Sequence, residues 1–466
     1  MKAHVLRKKY PRFFYRGYSY KIEGGDLKIS FDFAVPPDIR FHPKVVVKKV
    51  KQKDLARINR KTLENLVFHL GLMEIPSYWK TTCSPEIVAE AGHLDAKQIR
   101  WWKDLILNGM GEYFYKNKID FTKPDFLAIT STGSSPRLNL ETPRLSLCDK
   151  ALVPVGGGKD AVVTLELLKR GEQDVIPFLL NPKKEQEEIL KIAGLKNPII
   201  AIRTIDPRLL QLNRKGYLNG HTPFSAYLAF LSVLCATLFD IKYIALSNER
   251  SSNEGNVRYL GKTINHQYSK SFEFEKRFRS YVKTYLAKGM EYFSFLRPLY
   301  ELQIAKIFAH YPKYFGAFLS CNEAHKTTSG TKKPTGKWCG QCAKCLFVFV
   351  ALYPFIKERA LVKIFHANLF ENKSLVPLMK ELTGEQSFKP FECVGTTQES
   401  LTAFLLSTEK SREKLPPVLR YFKINIIPKH PKLQKREADV TCSWNNCHAL
   451  PLQFLKLIKT DSCTNY

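Results

Sequence analysis

The stretch Ala151-Leu-Val-Pro-Val-Gly-Gly-Gly-Lys-Asp-Ala-Val-Val-Thr-Leu-Glu-Leu-Leu168 decides the fold. Leu152–Val155 has the length and apolar character of a buried strand. Gly156, Gly157 and Gly158 then turn the chain, and Val162, Val163, Leu165, Leu167 and Leu168 follow at helical spacing. Three glycines allow close backbone approach and expose N–H groups. The helix points the positive end of its dipole at the same place. The reading is a phosphate site. Lys159 can contact phosphate oxygens, and Asp160 can hold a magnesium ion. The alternative is a plain strand-to-helix turn.

The turn lacks the Gly-Lys-Ser/Thr ending of a Walker A loop and the Gly-x-Gly-x-x-Gly spacing of dinucleotide binders. It resembles the pyrophosphatase loop (PP-loop) of ATP-pyrophosphatases, usually Ser-Gly-Gly-x-Asp-Ser. That resemblance implies cleavage of ATP between its α- and β-phosphates and adenylation of a substrate. Gly156 stands where the first serine is usual and Ala161 where the last is usual.

Outward from the turn, strands and helices alternate. Strands are expected at 174–180, 198–203 and 241–246, and helices at 160–170, 185–193 and 222–239. Short apolar strands separated by helices predict an α/β fold whose parallel sheet is covered on both faces. Ligands in such sheets sit at the carboxyl ends of the strands. Both the glycine turn and Ser247-Asn-Glu-Arg250 fall at such ends.

Upstream, residues 1–147 read as a basic α+β domain and linker. Tyr18–Ile22 and Leu27–Phe33 alternate around Glu23-Gly-Gly-Asp26, a hairpin signal. Residues 55–117 read as helical. Segment 118–147, with Ser134-Ser-Pro136 and Thr142-Pro143, reads as the linker. Residues 148–355 form the ATP-binding domain, and 356–466 a mostly helical C-terminal region and tail.

The 466 residues carry 73 Lys/Arg against 43 Asp/Glu, a net charge of +30. Residues 1–60 alone hold 16 Lys/Arg against 5 Asp/Glu. Such a balance favours anionic partners: nucleic acid, acidic membrane or polyphosphate substrates. The N-terminus lacks the apolar core of a secretory signal, which predicts a cytoplasmic protein. The apolar run 222–239 is short for a membrane span and reads as a buried helix.

In that setting the eleven cysteines are expected as thiols or metal ligands. Cys339, Cys342 and Cys345 form a Cys-x-x-Cys-x-x-Cys run, and Cys321 supplies a fourth thiolate. Four thiolates close a tetrahedral zinc site; an iron–sulfur cluster is the alternative. The arrangement resembles the zinc site of 7-cyano-7-deazaguanine synthase, another PP-loop enzyme, which implies structural zinc. Cys83, Cys148, Cys235 and Cys393 read as core residues. Cys442, Cys447 and Cys463 lie in a tail that carries no reading.

Polar stretches interrupt the apolar pattern at Asn219-Gly-His-Thr222, Ser247–Asn253, Asn265–Ser271 and Arg297–Gln303. Together they read as the lining of a substrate pocket. Their order resembles the UDP-N-acetylmuramoyl-L-alanyl-L-glutamate epimerase family. The motifs are Val155–Asp160, Asn219–Ser225, Ser247–Glu249, Asn265–Ser271, Leu296–Leu299 with Glu301–Ile304, and Ser320–Asn322 with Trp338-Cys339.

The resemblance implies ATP- and magnesium-dependent inversion of a terminal L-glutamate in a peptidoglycan precursor, through an acyl-adenylate. It makes the nucleotide-linked muramoyl dipeptide the expected partner. Lys159 and the loop N–H groups would stabilise phosphate charge. His221, Glu249 and His266 are the candidate acid/base groups, and Arg250 and Arg297 the candidate anion clamps. Two readings compete. One is a tRNA-modifying PP-loop enzyme, with Phe13-Phe-Tyr15, Tyr18 and Tyr20 as stacking residues. The other is a non-catalytic nucleotide- or zinc-binding protein.

Overall fold

The computed structural model describes residues 1–133, 145–411 and 415–462. The linker signals Ser134–Pro136 and Thr142-Pro143, and Cys463, lie outside the described residues.

Eleven strands form one sheet. In chain order they are β1 (Arg12–Glu23), β2 (Asp26–Val35), β3 (Ile39–Phe41), β4 (Lys44–Val47), β5 (Glu86–Ala89), β6 (Ala128–Ser131), β7 (Cys148–Pro154), β8 (Val175–Leu180), β9 (Ile199–Thr204), β10 (Ile241–Leu246) and, after a separate ribbon β11 (Val257–Tyr259) and β12 (Lys262–Ile264), β13 (Glu291–Ser294). The spatial order is β13-β10-β7-β8-β9-β4-β2-β1-β5-β6, with β3 on β2. β13, β10, β7, β8 and β9 are mutually parallel. β4 joins β9 antiparallel, so the N-terminal strands continue the same sheet.

The expected hairpin is present: Glu23 pairs with Asp26, and Gly24 and Gly25 take φ of 61° and 74°. Such left-handed angles at both central residues match the right-handed twist of the flanking strands. β5 and β6 were read otherwise, as helix and linker. Both are four-residue strands pairing in parallel beyond β1, too short for periodicity to separate strand from helix.

Alternation along the central strands sorts side chains between two cores. Ala151, Val153 and Val155 face one core and Leu152 the other. Tyr243 and Ala245 divide in the same way from Ile244 and Leu246. Helices Arg60–Trp79, Ala96–Gly109 and Phe224–Leu238 pack on the Leu152 side. Helices Lys159–Arg170, Lys184–Ala193, Glu301–Phe308 and Ala343–Leu352 pack on the Ala151 side with the C-terminal helices. Among the described residues, no strand follows Ser294. Among the described residues, too, no helix is long and apolar enough to cross a membrane.

Phe13 and Tyr15 are fully buried in the sheet's core. They are unavailable for base stacking, because alternation along β1 turns both inward. Tyr18 and Tyr20 are half-buried.

Candidate functional site

The parallel strands β7 and β10 are neighbours, so their carboxyl ends open on the same edge. The glycine turn leaves β7 there, and Ser247–Asn253 leaves β10. Gly157 has φ of 90°, and a Cβ at this residue would stand 2.8 Å from Glu185 Cγ. Gly158 caps the helix Lys159–Arg170, and a Cβ there would stand 3.3 Å from Ser320 Cβ. Packing therefore favours glycine at 157, and more weakly at 158, apart from any ligand.

A cavity of about 410 Å³ opens at this edge, lined among others by Gly156, Gly158, Asp160, His221, Glu249 and His266. That volume is in the range of small-molecule sites. Ser247 Oγ and Gln267 Oε1 are buried, and neither has a hydrogen-bond partner among the described residues. Both residues line the cavity. A buried polar atom without a partner costs free energy unless a ligand or water completes it.

Lys159 does not reach into the cavity as a free cation. It is 2% exposed and pairs with Asp160 and Glu301. Burial opposes its charge, but the two carboxylates outweigh burial and hold the ammonium well above its usual range. Burial acts against Glu301 too, and Lys159 with Lys344 overcomes it, so that carboxyl lies well below its usual range. Glu249 sits beside them, and the opposing charge of Lys270 does not offset its burial. Burial, then Glu301, pushes its carboxyl up to about 7. Oxygens of Asp160, Glu249 and Glu301 lie within 4.8 Å of one another, an oxygen-rich setting that suits a hard divalent cation around Asp160.

The cavity lining also holds His221 and His266, with ring centroids 4.3 Å apart. Glu112 joins them: its Oε2 lies 2.5 Å from His266 Nδ1 and 3.7 Å from His221 Nδ1. The two imidazoles are driven apart. Burial, then His266, pushes His221 down to about 3. Burial also opposes charge on His266, yet Cys393 and Glu112 raise it to about 9. Two titratable groups pushed in opposite directions at one cavity have the character of an acid/base site.

The two arginines stand elsewhere. Arg297 has no exposure; it donates to Glu249 O, Ser252 Oγ, Lys270 O, Glu275 Oε2 and Ser294 Oγ. Its guanidinium braces the loops that carry the site. Arg250 lies over the Tyr300 ring and donates to Ser443 Oγ at 3.1 Å.

The four cysteines converge. Their sulfurs all lie within 4.8 Å of one another, with Cys321–Cys342 at 3.9 Å and Cys339–Cys345 at 3.6 Å. A tetrahedral ion at a Zn–S distance of about 2.3 Å sets sulfur separations of about 3.8 Å. The set fits one zinc ion. A cubane cluster would spread the thiolates over separate irons and hold them further apart.

The chain resembles known proteins along most of its length. The sequence profile described as "MurL N-terminal domain" matches residues 4–295, and "MurL C-terminal domain" matches 317–438. The chain belongs to the MurL family. A relative from Micromonospora sp., named UDP-N-acetyl-alpha-D-muramoyl-L-alanyl-L-glutamate epimerase, is 33% identical over 409 residues, covering 86% of this chain and 88% of the relative. Proteins of the same name from Xanthomonas oryzae pv. oryzae and Salinispora tropica are 33% and 31% identical. They cover 80% and 87% of this chain, and 81% and 87% of their own lengths.

Sequence reading missed several site residues. Glu112 lies in an apparently ordinary helix, Gly111–Lys116, and only its burial marks it. Glu301 was seen within a motif but given no role. Cys393 was grouped with core thiols, yet it is partly exposed and lines the cavity. Cys148 is exposed, not core, because β7 begins at the sheet's rim. Cys83 and Cys235 are buried as expected.

Proposed function

We propose that the chain inverts the terminal L-glutamate of UDP-N-acetylmuramoyl-L-alanyl-L-glutamate to D-glutamate, consuming ATP and releasing AMP and pyrophosphate. The relatives' names support the reaction. One observation carries the assignment to this site: the glycine turn, Asp160, Glu249, His221 and His266 converge on one cavity at the carboxyl ends of β7 and β10. We read β7–β10 with their helices as a PP-loop core.

The chemistry explains why ATP is needed. An ionised carboxylate opposes removal of the neighbouring α-proton, because a second negative charge would form beside the first. Attack of that carboxylate on the α-phosphorus of ATP expels pyrophosphate and leaves an acyl-adenylate. The acyl carbonyl can then accept the electron pair of the broken Cα–H bond. Protonation on the other face and hydrolysis give product and AMP.

In this reading the turn N–H groups bind phosphate oxygens. Asp160 would hold magnesium, which neutralises phosphate charge when bound. Lys159 fixes the carboxylates of Asp160 and Glu301 from beneath. His221, Glu249 and His266 move protons. Zinc on Cys321, Cys339, Cys342 and Cys345 is structural. Bound there, it would steady Ser320, which lies between Leu319 and Cys321, against the glycine turn.

The test is incubation with ATP, magnesium and the UDP-linked dipeptide, reading AMP and glutamate stereochemistry. Substrate-dependent AMP with D-glutamate is expected. AMP formed only with RNA would point to base modification, and nucleotide binding without turnover to a non-catalytic protein.

A further inference from the structure

Cys393 is more than a thiol near the cavity. Lys270 Nζ donates to its Sγ at 3.2 Å, and His266 lines the same cavity and acts electrostatically on the same thiol. His266 Nδ1 in turn lies 2.5 Å from Glu112 Oε2. The Glu112–His266 pair and the Lys270–Cys393 pair thus meet in one cavity wall, to which His266, Lys270 and Cys393 all contribute. A merely structural thiol sits among apolar groups and is inert; a reactive one sits in an electropositive, partly exposed setting. Gln267, next in sequence to His266, is 4% exposed and lines the cavity, and its Oε1 has no partner among the described residues. It is an acceptor in the same cavity wall, open to a ligand donor.

We propose that Cys393 is a catalytic residue that exchanges the α-proton of the activated glutamyl group on one face of Cα. This inference rests on the epimerase reading. In one direction the thiolate lone pair takes the α-proton and the S–H bond forms. The Cα–H electron pair moves into the acyl carbonyl, giving an enolate. The carboxyl of Glu249 supplies a proton to the opposite face, and the enolate pair returns to form the new Cα–H bond. Nothing is oxidised or reduced. The reverse direction starts from the Glu249 carboxylate and the Cys393 thiol.

The surroundings suit the thiolate. Burial pushes the thiol up, but Lys270 and His266 overcome it and bring the group down to about 5. Lys344 faces the same residue, donating to Cys393 O, while Glu249 and Glu392 are the nearby carboxyl groups, both held up by burial.

The experiment uses the full chain in D2O with ATP, magnesium and the dipeptide substrate. Pyrophosphate release and deuterium entry at Cα are followed together. In Cys393→Ser, pyrophosphate release should continue while deuterium entry falls about 100-fold, the lower range for loss of a positioned acid/base. Unchanged deuterium entry would overturn the role of Cys393 and leave the epimerase reading intact. A wild-type protein that neither releases pyrophosphate nor takes up deuterium overturns that reading, and the inference with it.

Should Cys393→Ser lose both signals, the wild-type thiol is titrated by iodoacetamide and mapped to its peptide. A midpoint near 5, displaced upward in His266→Gln, supports the proposal. A midpoint near the ordinary thiol value overturns it. A glutamyl adduct on Cys393 by intact mass would also overturn it, because that thiol would be a nucleophile rather than a base.

Discussion

The Leu319 N–H donates to Gly157 O at 2.8 Å. Two residues later the chain reaches Cys321, the first of the four thiolates. The four-cysteine knuckle and the glycine turn are therefore one mechanical unit. Removing the metal should loosen the turn as well as the knuckle. Elemental analysis should find about one zinc per chain, as expected for a closed four-thiolate site. Stripping it, or Cys342→Ser, should lower the thermal midpoint and weaken nucleotide binding at least several-fold. Zinc loss that leaves nucleotide affinity unchanged would separate the two sites.

Within the turn, Gly157 is the glycine whose replacement should hurt most. Its φ is 90°, and an added Cβ would meet Glu185 Cγ at 2.8 Å. Placing alanine in left-handed backbone costs about 1–2 kcal/mol before any clash. At Gly156 a Cβ meets nothing within 4 Å, and φ is not positive. Urea unfolding should show a clear loss for Gly157→Ala and little change for Gly156→Ala.

His69 gives a pH signature that does not involve the cavity. It is 2% exposed between helices, with Nδ1 2.8 Å from Asn65 O and Nε2 2.9 Å from Tyr281 OH. The neutral ring satisfies both: Nδ1–H donates to the carbonyl, and Nε2 accepts from the hydroxyl. A second ring proton would face that donor. Burial pushes the group down to about 4. The unfolded chain, titrating near 6.5, then binds more protons than the folded one between those values. Stability from neutral His69 is present above pH 6.5 and is lost as pH falls towards 4, by up to about 3 kcal/mol. Denaturant titrations at pH 7 and 4.5 should show a smaller acid loss in His69→Gln than in the wild type.

The sequence made the β7–β10 units legible, because each carries an apolar run, a turn and a periodic helix in order. Gly156–Gly158 and the Cys339–Cys345 run were legible for a similar reason, since their chemistry is local. What escaped was tertiary. β5 and β6 exist as strands because β1 offers an edge to them. Glu112 and Cys393 meet His266 from helix and loop segments 281 residues apart in the chain. No short window contains that relation. Arg297 looked like a clamp because arginine in a polar stretch usually faces an anion; only burial shows its anion to be Glu275.

Arg297 therefore carries the last prediction. It holds Glu249 O and Lys270 O in place while pairing with Glu275 at 3.2 Å, all without exposure to solvent. Arg297→Lys keeps the charge but offers three donors from one point, where the guanidinium offers five in a fork. Carbonyls of two site loops would lose partners in the interior. Each unsatisfied group costs about 1–3 kcal/mol, so the variant should unfold at markedly lower denaturant. Activity should fall mainly through kcat, since Arg297 is outside the cavity lining while Glu249 and Lys270 are in it. A rise in KM for the dipeptide with kcat preserved would instead return Arg297 to the role of a substrate clamp.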